Sequence, residues 1–192
     1  GAYVQTSGVL KRIAVKLSKI CNDLRLLSSG PRTGINEINL PRLQPGSSIM
    51  PGKVNPVIPE VVSQVAFDII GKDVTITMAA EAGQLELNVM EPIIAFSLSN
   101  GIHRLRQAMR TLQDRCVSGI TANKERCRSM VENSIGIITA LNPYLGYETS
   151  ASIAKEALET DGSVLDIVLA RNLLSREKLD DILAPEHMIN RK

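Results

Sequence analysis

The sequence contains few aromatic residues. Among its 192 residues there are two phenylalanines, three tyrosines and no tryptophan. This disfavours proteins that stack nucleic acid bases on aromatic side chains, and also β-sandwiches and barrels, whose strands favour aromatic residues. A core must therefore be built from Leu, Ile, Val, Met and Ala. The 44% hydrophobic and 22% charged composition is typical of a folded globular protein.

Other features are missing as well. No apolar run approaches the roughly 20 residues that span a bilayer, so no membrane partner is expected. With a net charge of +2 and no basic block longer than two residues, no nucleic acid partner is expected either. The two histidines, His103 and His187, are far apart and have no pattern of ligands around them, which predicts no metal site. The odd number of cysteines (Cys21, Cys116 and Cys127) predicts reduced, buried thiols in a cytoplasmic protein.

Long amphipathic helices are the main feature that is present. Two segments carry apolar residues at alternating intervals of three and four: Leu10, Ile13, Leu17, Ile20, Leu24 and Leu27 in the first, and Leu98, Ile102, Leu105, Met109, Leu112 and Cys116 in the second. This spacing is typical of helices that pack at a shallow angle in a bundle. A third helix is predicted from about Pro56 to Ala80, and we expect Pro92 to disturb the next helix, which begins near Leu85.

Beyond Gly119 the pattern predicts short helices. Asn123 would cap a helix through Met130, and residues 142–146 would form a turn. Another helix would span about 149–159, with Ser163 beginning a capping box and Ser175 capping the last helix. The predicted fold is all-α. Residues 1–120 are predicted to form part of a long-helix bundle that includes a functional loop at 41–55, and residues 121–192 are predicted to form a small helical C-terminal domain.

The loop between the first two long helices contains the candidate functional residues. Its segment from Gly46 to Pro56 reads Gly-Ser-Ser-Ile-Met-Pro-Gly-Lys-Val-Asn-Pro. It is not a nucleotide-binding P-loop, because five residues rather than four separate its first glycine from Gly-Lys, valine follows the lysine, and no strand is expected before it. Two hydroxyls, an amine and an amide at a helix start would suit a small dicarboxylate, with a serine as a possible base. A plain Gly/Ser/Pro connector is the alternative that these residues leave open.

The same segment, residues 46–56, resembles the signature of the aspartase/fumarase superfamily, and every position of that signature is filled. The resemblance extends over the whole chain. Residues 28–41, 57–62 and 78–88 resemble the ammonia-lyase branch, whereas residues 142–147 are similar to both the ammonia-lyases and the fumarases.

The resemblance implies an activity and its residues. The expected reaction is the reversible elimination of ammonia from L-aspartate to give fumarate, through an aci-carboxylate intermediate and without a cofactor. Ser47 would be the catalytic base, and Glu60 would support the pocket from outside it. The substrate-binding residues would be Ser48, Ile49, Lys53 and Asn55. Arg32 could orient the loop or be a solvated side chain.

The resemblance also implies partners. Subunits of this superfamily form homotetramers through their long helices, and the N-terminal part of a subunit supplies further substrate-binding residues. Since the chain begins at Gly1 and matches only the later part of such a subunit, we expect a fragment that is inactive alone. A fumarate hydratase and a non-catalytic helical assembly module are the competing predictions.

Overall fold

The computed structural model describes residues 1–30, 32–46, 49–50, 52, 54–184 and 186–187. The chain divides into two compact units, Gly1–Asn123 and Lys124–Lys192. The described residues hold eight α-helices and one sheet of two short strands, so the predicted all-α fold class is confirmed. No helix within the described ranges is both long and apolar enough to cross a membrane.

The first unit is a bundle of three long helices. They are α1 (Ala2–Leu27), α2 (Val57–Glu81) and α3 (Glu91–Arg115), and α2 packs against both of the others. Ser7 near the start of α1 contacts Asp73 near the end of α2, whereas Cys21 shares a core cluster with Val62 near the start of α2. The two helices therefore run antiparallel.

Small side chains form the buried line of α1. Its buried residues are Ser7, Ala14 and Cys21, which recur every seven positions, and a leucine follows each of them three positions later, at 10, 17 and 24. The predicted line included Ile20, but that side chain is 48% exposed. Ala14 shares a core cluster with Ala66 of α2, so the contact between the helices follows the short side chains rather than the larger isoleucine.

The buried line of α3 differs from the prediction in the same way. Ile102 and Met109 were expected to be in the core, but they are 48% and 40% exposed. The buried residues are Ile94, Ser97, Gly101, Leu105, Ala108 and Leu112. A Cβ on Gly101 would lie 3.3 Å from Cδ1 of Ile69, which shows how tightly α2 and α3 pack at this point.

The start of α3 also differs from its predicted position. The helix expected to begin irregularly at Leu85 begins instead at Glu91, and Pro92 lies in its first turn, where a missing N–H costs little. Leu85 has a φ of 52° and lies in a tight turn. Asn88 donates its side-chain amide to the carbonyl of Ala79 at 2.9 Å and so satisfies one end of α2.

A buried carboxylate joins α1 to α2. Ser7 donates its hydroxyl to Oδ1 of Asp73 at 2.7 Å, and Lys11 donates its Nζ to Oδ2 at 2.9 Å. Burial works to raise the pKa of Asp73, but the hydrogen bonds from Ser7 and Lys11 and the charge of Lys11 outweigh it, so that pKa lies below its ordinary value.

The second unit is built from short helices. They are α4 (Lys124–Glu132), α5 (Ile138–Leu145), α6 (Tyr147–Thr160), α7 (Val164–Ala170) and α8 (Arg176–Ile182). Their core is aliphatic, and its most buried members include Leu141, Ile153, Val168 and Leu179.

Two details of the second unit were predicted wrongly. The dipeptide Asn142-Pro143 lies inside α5, and the break comes at Gly146, whose φ is 76°. Ser163 stands at the start of α7, but within the described chain its side chain makes no capping hydrogen bond. The cap at Ser175 is confirmed, because its hydroxyl accepts a hydrogen bond from the N–H of Lys178 at 3.3 Å.

Candidate active site

The two ends of the loop at 41–55 lie close together. Leu40 and Pro41 on one side, and Pro56 and Pro59 on the other, line a cavity of about 10 Å³ that Cys116 also borders. The loop therefore leaves and rejoins the bundle at one place. Directly below it is the core layer of Cys21, Val62, Ala108, Leu112 and Cys116.

The start of α2 forms the far edge of the loop. The N–H of Val57 donates to the carbonyl of Asn55 at 2.9 Å, and the N–H of Glu60 donates to that of Pro56 at 3.2 Å. Because α2 has 25 residues, its N-terminus carries the full positive end of a helix dipole. Such an end favours a carboxylate ligand, whereas the half-buried Glu60 adds a negative charge beside it.

Asn55 closes the base of the loop. Its side-chain amide donates to the carbonyl of Gly46 at 3.1 Å, across nine residues of sequence. The sequence predicts that Asn55 binds substrate, and in the structure the same amide joins the last residue of the loop to Gly46 within it.

The described residues of the loop expose apolar side chains. Ile49 is 86% exposed, Met50 is 50% exposed and Val54 is 38% exposed. The predicted base Ser47 and the predicted ligands Ser48 and Lys53 lie outside the described residues. The structure therefore brings together the two ends of the loop, Asn55, Glu60 and the N-terminus of α2.

A closed turn precedes the loop. Ser29 donates its hydroxyl to the carbonyl of Leu26 at 2.6 Å and accepts a hydrogen bond from the N–H of Ile35 at 3.2 Å. A Cβ on Gly34 would lie 2.4 Å from the carbonyl carbon and oxygen of Ser29, so only glycine fits there. Arg32 is exposed on this turn.

A short sheet that no sequence pattern predicted supports the loop entry. Strand β1 (Ile38–Asn39) pairs antiparallel with β2 (Thr121–Ala122), so a strand does precede the loop. The sequence feature that could have predicted this sheet is the presence of asparagine at three positions, Asn36, Asn39 and Asn123. Asn36 has a φ of 54°, and asparagine tolerates that conformation better than most residues do.

The remaining candidates show no catalytic arrangement. Cys21, Cys116 and Cys127 are free thiols, and burial, with a smaller contribution from Cys116, raises the pKa of Cys21 to about 11. A thiol so hard to ionise is a poor nucleophile. His103 and His187 are both exposed. Among the described residues, no three His, Cys, Asp or Glu side chains cluster as a metal site would require.

Comparison with known proteins identifies the family. Residues 1–71 match the lyase family, and residues 137–190 match the family described as fumarase C C-terminus. Over 190 residues the chain is 65% identical to an aspartate ammonia-lyase from Helicobacter pylori, in an alignment that covers 99% of this chain and 41% of that relative. The chain belongs to the aspartase/fumarase superfamily.

Solved structures of the aspartase/fumarase superfamily share this fold. A fumarate lyase:delta crystallin from Brucella melitensis superposes with a TM-score of 0.93 and 54% identity over all of this chain and 41% of its own. A class II fumarase from Schistosoma mansoni gives a TM-score of 0.86 and 40% identity over 98% of this chain and 40% of its own. The chain thus spans about two fifths of the length of these relatives.

Membership of the aspartase/fumarase superfamily confirms the resemblance found in residues 46–56. It does not by itself assign a role to any residue of that segment. The roles of Ser47, Ser48, Ile49, Lys53, Asn55 and Glu60 remain predictions.

Proposed function

We propose that this chain forms the C-terminal part of an aspartate ammonia-lyase, which converts L-aspartate reversibly to fumarate and ammonia. The observation that carries the proposal is the 65% identity with a curated aspartate ammonia-lyase across 99% of the chain, including the complete loop signature. The loop placed against the N-terminus of α2 supports it, because both carboxylates of aspartate need positive or N–H-rich surroundings.

In this proposal Ser47 is the catalytic base. Its alkoxide takes a proton from the carbon next to the side-chain carboxylate of L-aspartate, and the electrons of that C–H bond move into the carboxylate. The resulting aci-carboxylate carries two negative charges. It collapses as the carbon–nitrogen bond breaks, which releases ammonia and leaves the double bond of fumarate.

The other signature residues stabilise this charge. Ser48 and neighbouring backbone N–H groups donate to the carboxylate on which charge develops, and an interaction that strengthens as charge forms lowers the barrier. Lys53 and Asn55 hold the other carboxylate, and Ile49 is a further substrate-binding residue. Glu60 supports the pocket from outside. Removing one donor to such an oxyanion typically lowers kcat by about 100- to 1,000-fold.

We further propose that the site is completed by other parts of the enzyme. The matched relatives are more than twice as long as this chain. The part of the enzyme that this chain does not cover would supply further substrate-binding residues. The bundle exposes large apolar side chains, among them Phe67, Val74 and Ile102, which supports assembly into a homotetramer through the long helices. Three free thiols support a cytoplasmic location.

Fumarate hydratase is the second candidate function. The match of residues 137–190 to a fumarase C family and the structural similarity to a class II fumarase favour it. A non-catalytic helical assembly module is the third, and the presence of Ser47, Lys53 and Asn55 in one complete signature argues against it.

The deciding experiment uses the complete enzyme with L-aspartate and L-malate in separate assays, following fumarate by its absorbance. We expect fumarate from L-aspartate only. Ser47→Ala should abolish turnover and leave substrate binding largely intact, whereas Ser152→Ala, which removes an exposed helix hydroxyl in the second unit, should behave like the parent. Near-normal turnover in Ser47→Ala would show that another group is the base.

The isolated chain provides a second test. If the missing part of the subunit is needed, the purified 192-residue chain should produce no fumarate from L-aspartate. Turnover by the isolated chain would contradict the claim that other parts complete the site.

A further inference from the structure

Residues just before the loop are paired with residues far along the chain. In the β1–β2 pair, Ile38 lies opposite Ala122 and Asn39 lies opposite Thr121. The N–H of Asn123 extends the pairing by donating to the carbonyl of Glu37 at 2.8 Å. A pair of two-residue strands is only marginally stable by itself, so this pairing needs other stabilising contacts.

The side chain of Asn123 supplies that support. Its amide donates to the backbone carbonyl of Asn36 at 2.9 Å, and its Oδ1 accepts a hydrogen bond from the side-chain amide of Asn39 at 2.6 Å. The amide of Asn39 also donates to Oγ1 of Thr121 at 3.2 Å. We name Asn36, Asn39 and Asn123 the asparagine latch.

Pro41, which follows β1 in the sequence, packs against Gly119. A Cβ on Gly119 would lie 2.6 Å from Cγ of Pro41, so the turn at Val117–Gly119 rests directly on the first residue of the loop. Proline has no N–H to pair with a neighbouring strand. Beyond β1 the loop entry is therefore held by packing against Gly119 and by the hydrogen bond between Asn55 and Gly46.

We infer that Asn123 is a positioning residue for the reaction at the loop, and that it acts through Asn36 and Asn39 to fix the loop entry. This inference rests on the proposed function. Asn39 lies eight positions before Ser47, so freedom at the latch is carried into the segment that holds the predicted base. Small misplacements of a reacting group lower the rate without weakening the binding of the substrate to the same degree.

The test compares three variants of the complete enzyme. Asn123→Ala removes the whole latch amide. Asn123→Asp keeps the acceptor for the Asn39 amide and loses the donor to Asn36 and to Oδ1 of Asn39. Asn133→Ala is the matched control, because Asn133 is exposed and, among the described residues, its amide donates only to Ser129 of the preceding helical turn.

We expect Asn123→Ala to lower kcat by about 10- to 100-fold with KM changed far less, and to raise amide hydrogen exchange in residues 36–46. Asn123→Asp should show a smaller change in the same direction. The control should match the parent in kcat, KM and exchange. All variants should keep a thermal midpoint close to that of the control.

Two results would overturn the inference. One is exchange in residues 36–46 that equals the control, and the other is increased exchange with an unchanged kcat. If Asn123→Ala fails to fold, Asn123→Asp and Asn39→Ala decide by the same readouts. Absence of turnover in the parent enzyme would instead contradict the proposed function, while the exchange comparison would still decide whether the latch holds the loop entry.

Discussion

Gly34 occupies a position where the carbonyl group of Ser29 would come within 2.4 Å of any added Cβ. Real Cβ atoms do not approach a backbone that closely, so the turn before the loop must open if Gly34 is replaced. Nothing in the sequence around Gly34 reveals this contact, because it depends on how the chain folds back after α1. Local patterns predict that a turn exists there, but they do not predict its tightness.

We therefore expect Gly34→Ala to destabilise the complete protein by about 1–3 kcal/mol, which is the usual cost of overpacking. The measurement is the thermal unfolding midpoint. Gly8→Ala is the matched control, because Gly8 lies in α1 with no atom within 4 Å of its added Cβ, and alanine is favoured over glycine in a helix by about 0.5–1 kcal/mol. Equal midpoints for both variants would mean that the turn relaxes without cost.

At the scale of the element, helices were easier to predict than their buried faces. The bounds of α1 and α2 follow from a local period and from prolines at 56 and 59, which suit a first helical turn. The facing residues depend on the partner helix. Ile20 and Met109 fit the apolar period but are exposed, because Ala14, Gly101 and other small residues set the line of closest approach.

Asp73, which joins α1 to α2, is predicted to contribute to the stability of the protein. Asp73→Ala would leave the Ser7 hydroxyl, which is 2% exposed, without its acceptor, at a cost of about 1–3 kcal/mol. Asp23→Ala removes an exposed carboxylate that pairs with Lys19 one turn away, and should cost well under 1 kcal/mol. Thermal unfolding of the complete protein should separate the two variants.

The same carboxylate gives the sign of a pH dependence. Because the pKa of folded Asp73 is lowered, its contribution to stability is present above the ordinary aspartate value of about 4 and is lost as the pH falls through the folded value. The difference in midpoint between the parent and Asp73→Ala should therefore shrink on acidification below about pH 4. A difference that is constant with pH would show that the contact acts by packing and not by charge.

At the scale of the whole molecule, the exposed apolar side chains of α2 are the feature that needs an explanation. On α2, Phe67, Val74 and Met78 recur at intervals of seven and four and are 58%, 61% and 60% exposed, so they form one stripe along the helix. A stripe of this length on a bundle helix is typical of a surface that another helix covers. The sequence predicted assembly through the long helices only by family resemblance, since periodicity alone cannot tell a core face from an interface.

Assembly can be tested on that stripe. Phe67→Glu places a charge at one end of the stripe, on its largest side chain, and burying an unpaired carboxylate in an apolar contact is unfavourable by several kcal/mol. We expect this variant of the complete protein to dissociate into smaller species, as measured by its mass under non-denaturing conditions. Leu158→Glu is the matched control, because Leu158 is 68% exposed on α6 in the second unit. It should leave the mass unchanged. If Phe67→Glu keeps the parent mass and stability, the stripe does not hold an assembly together.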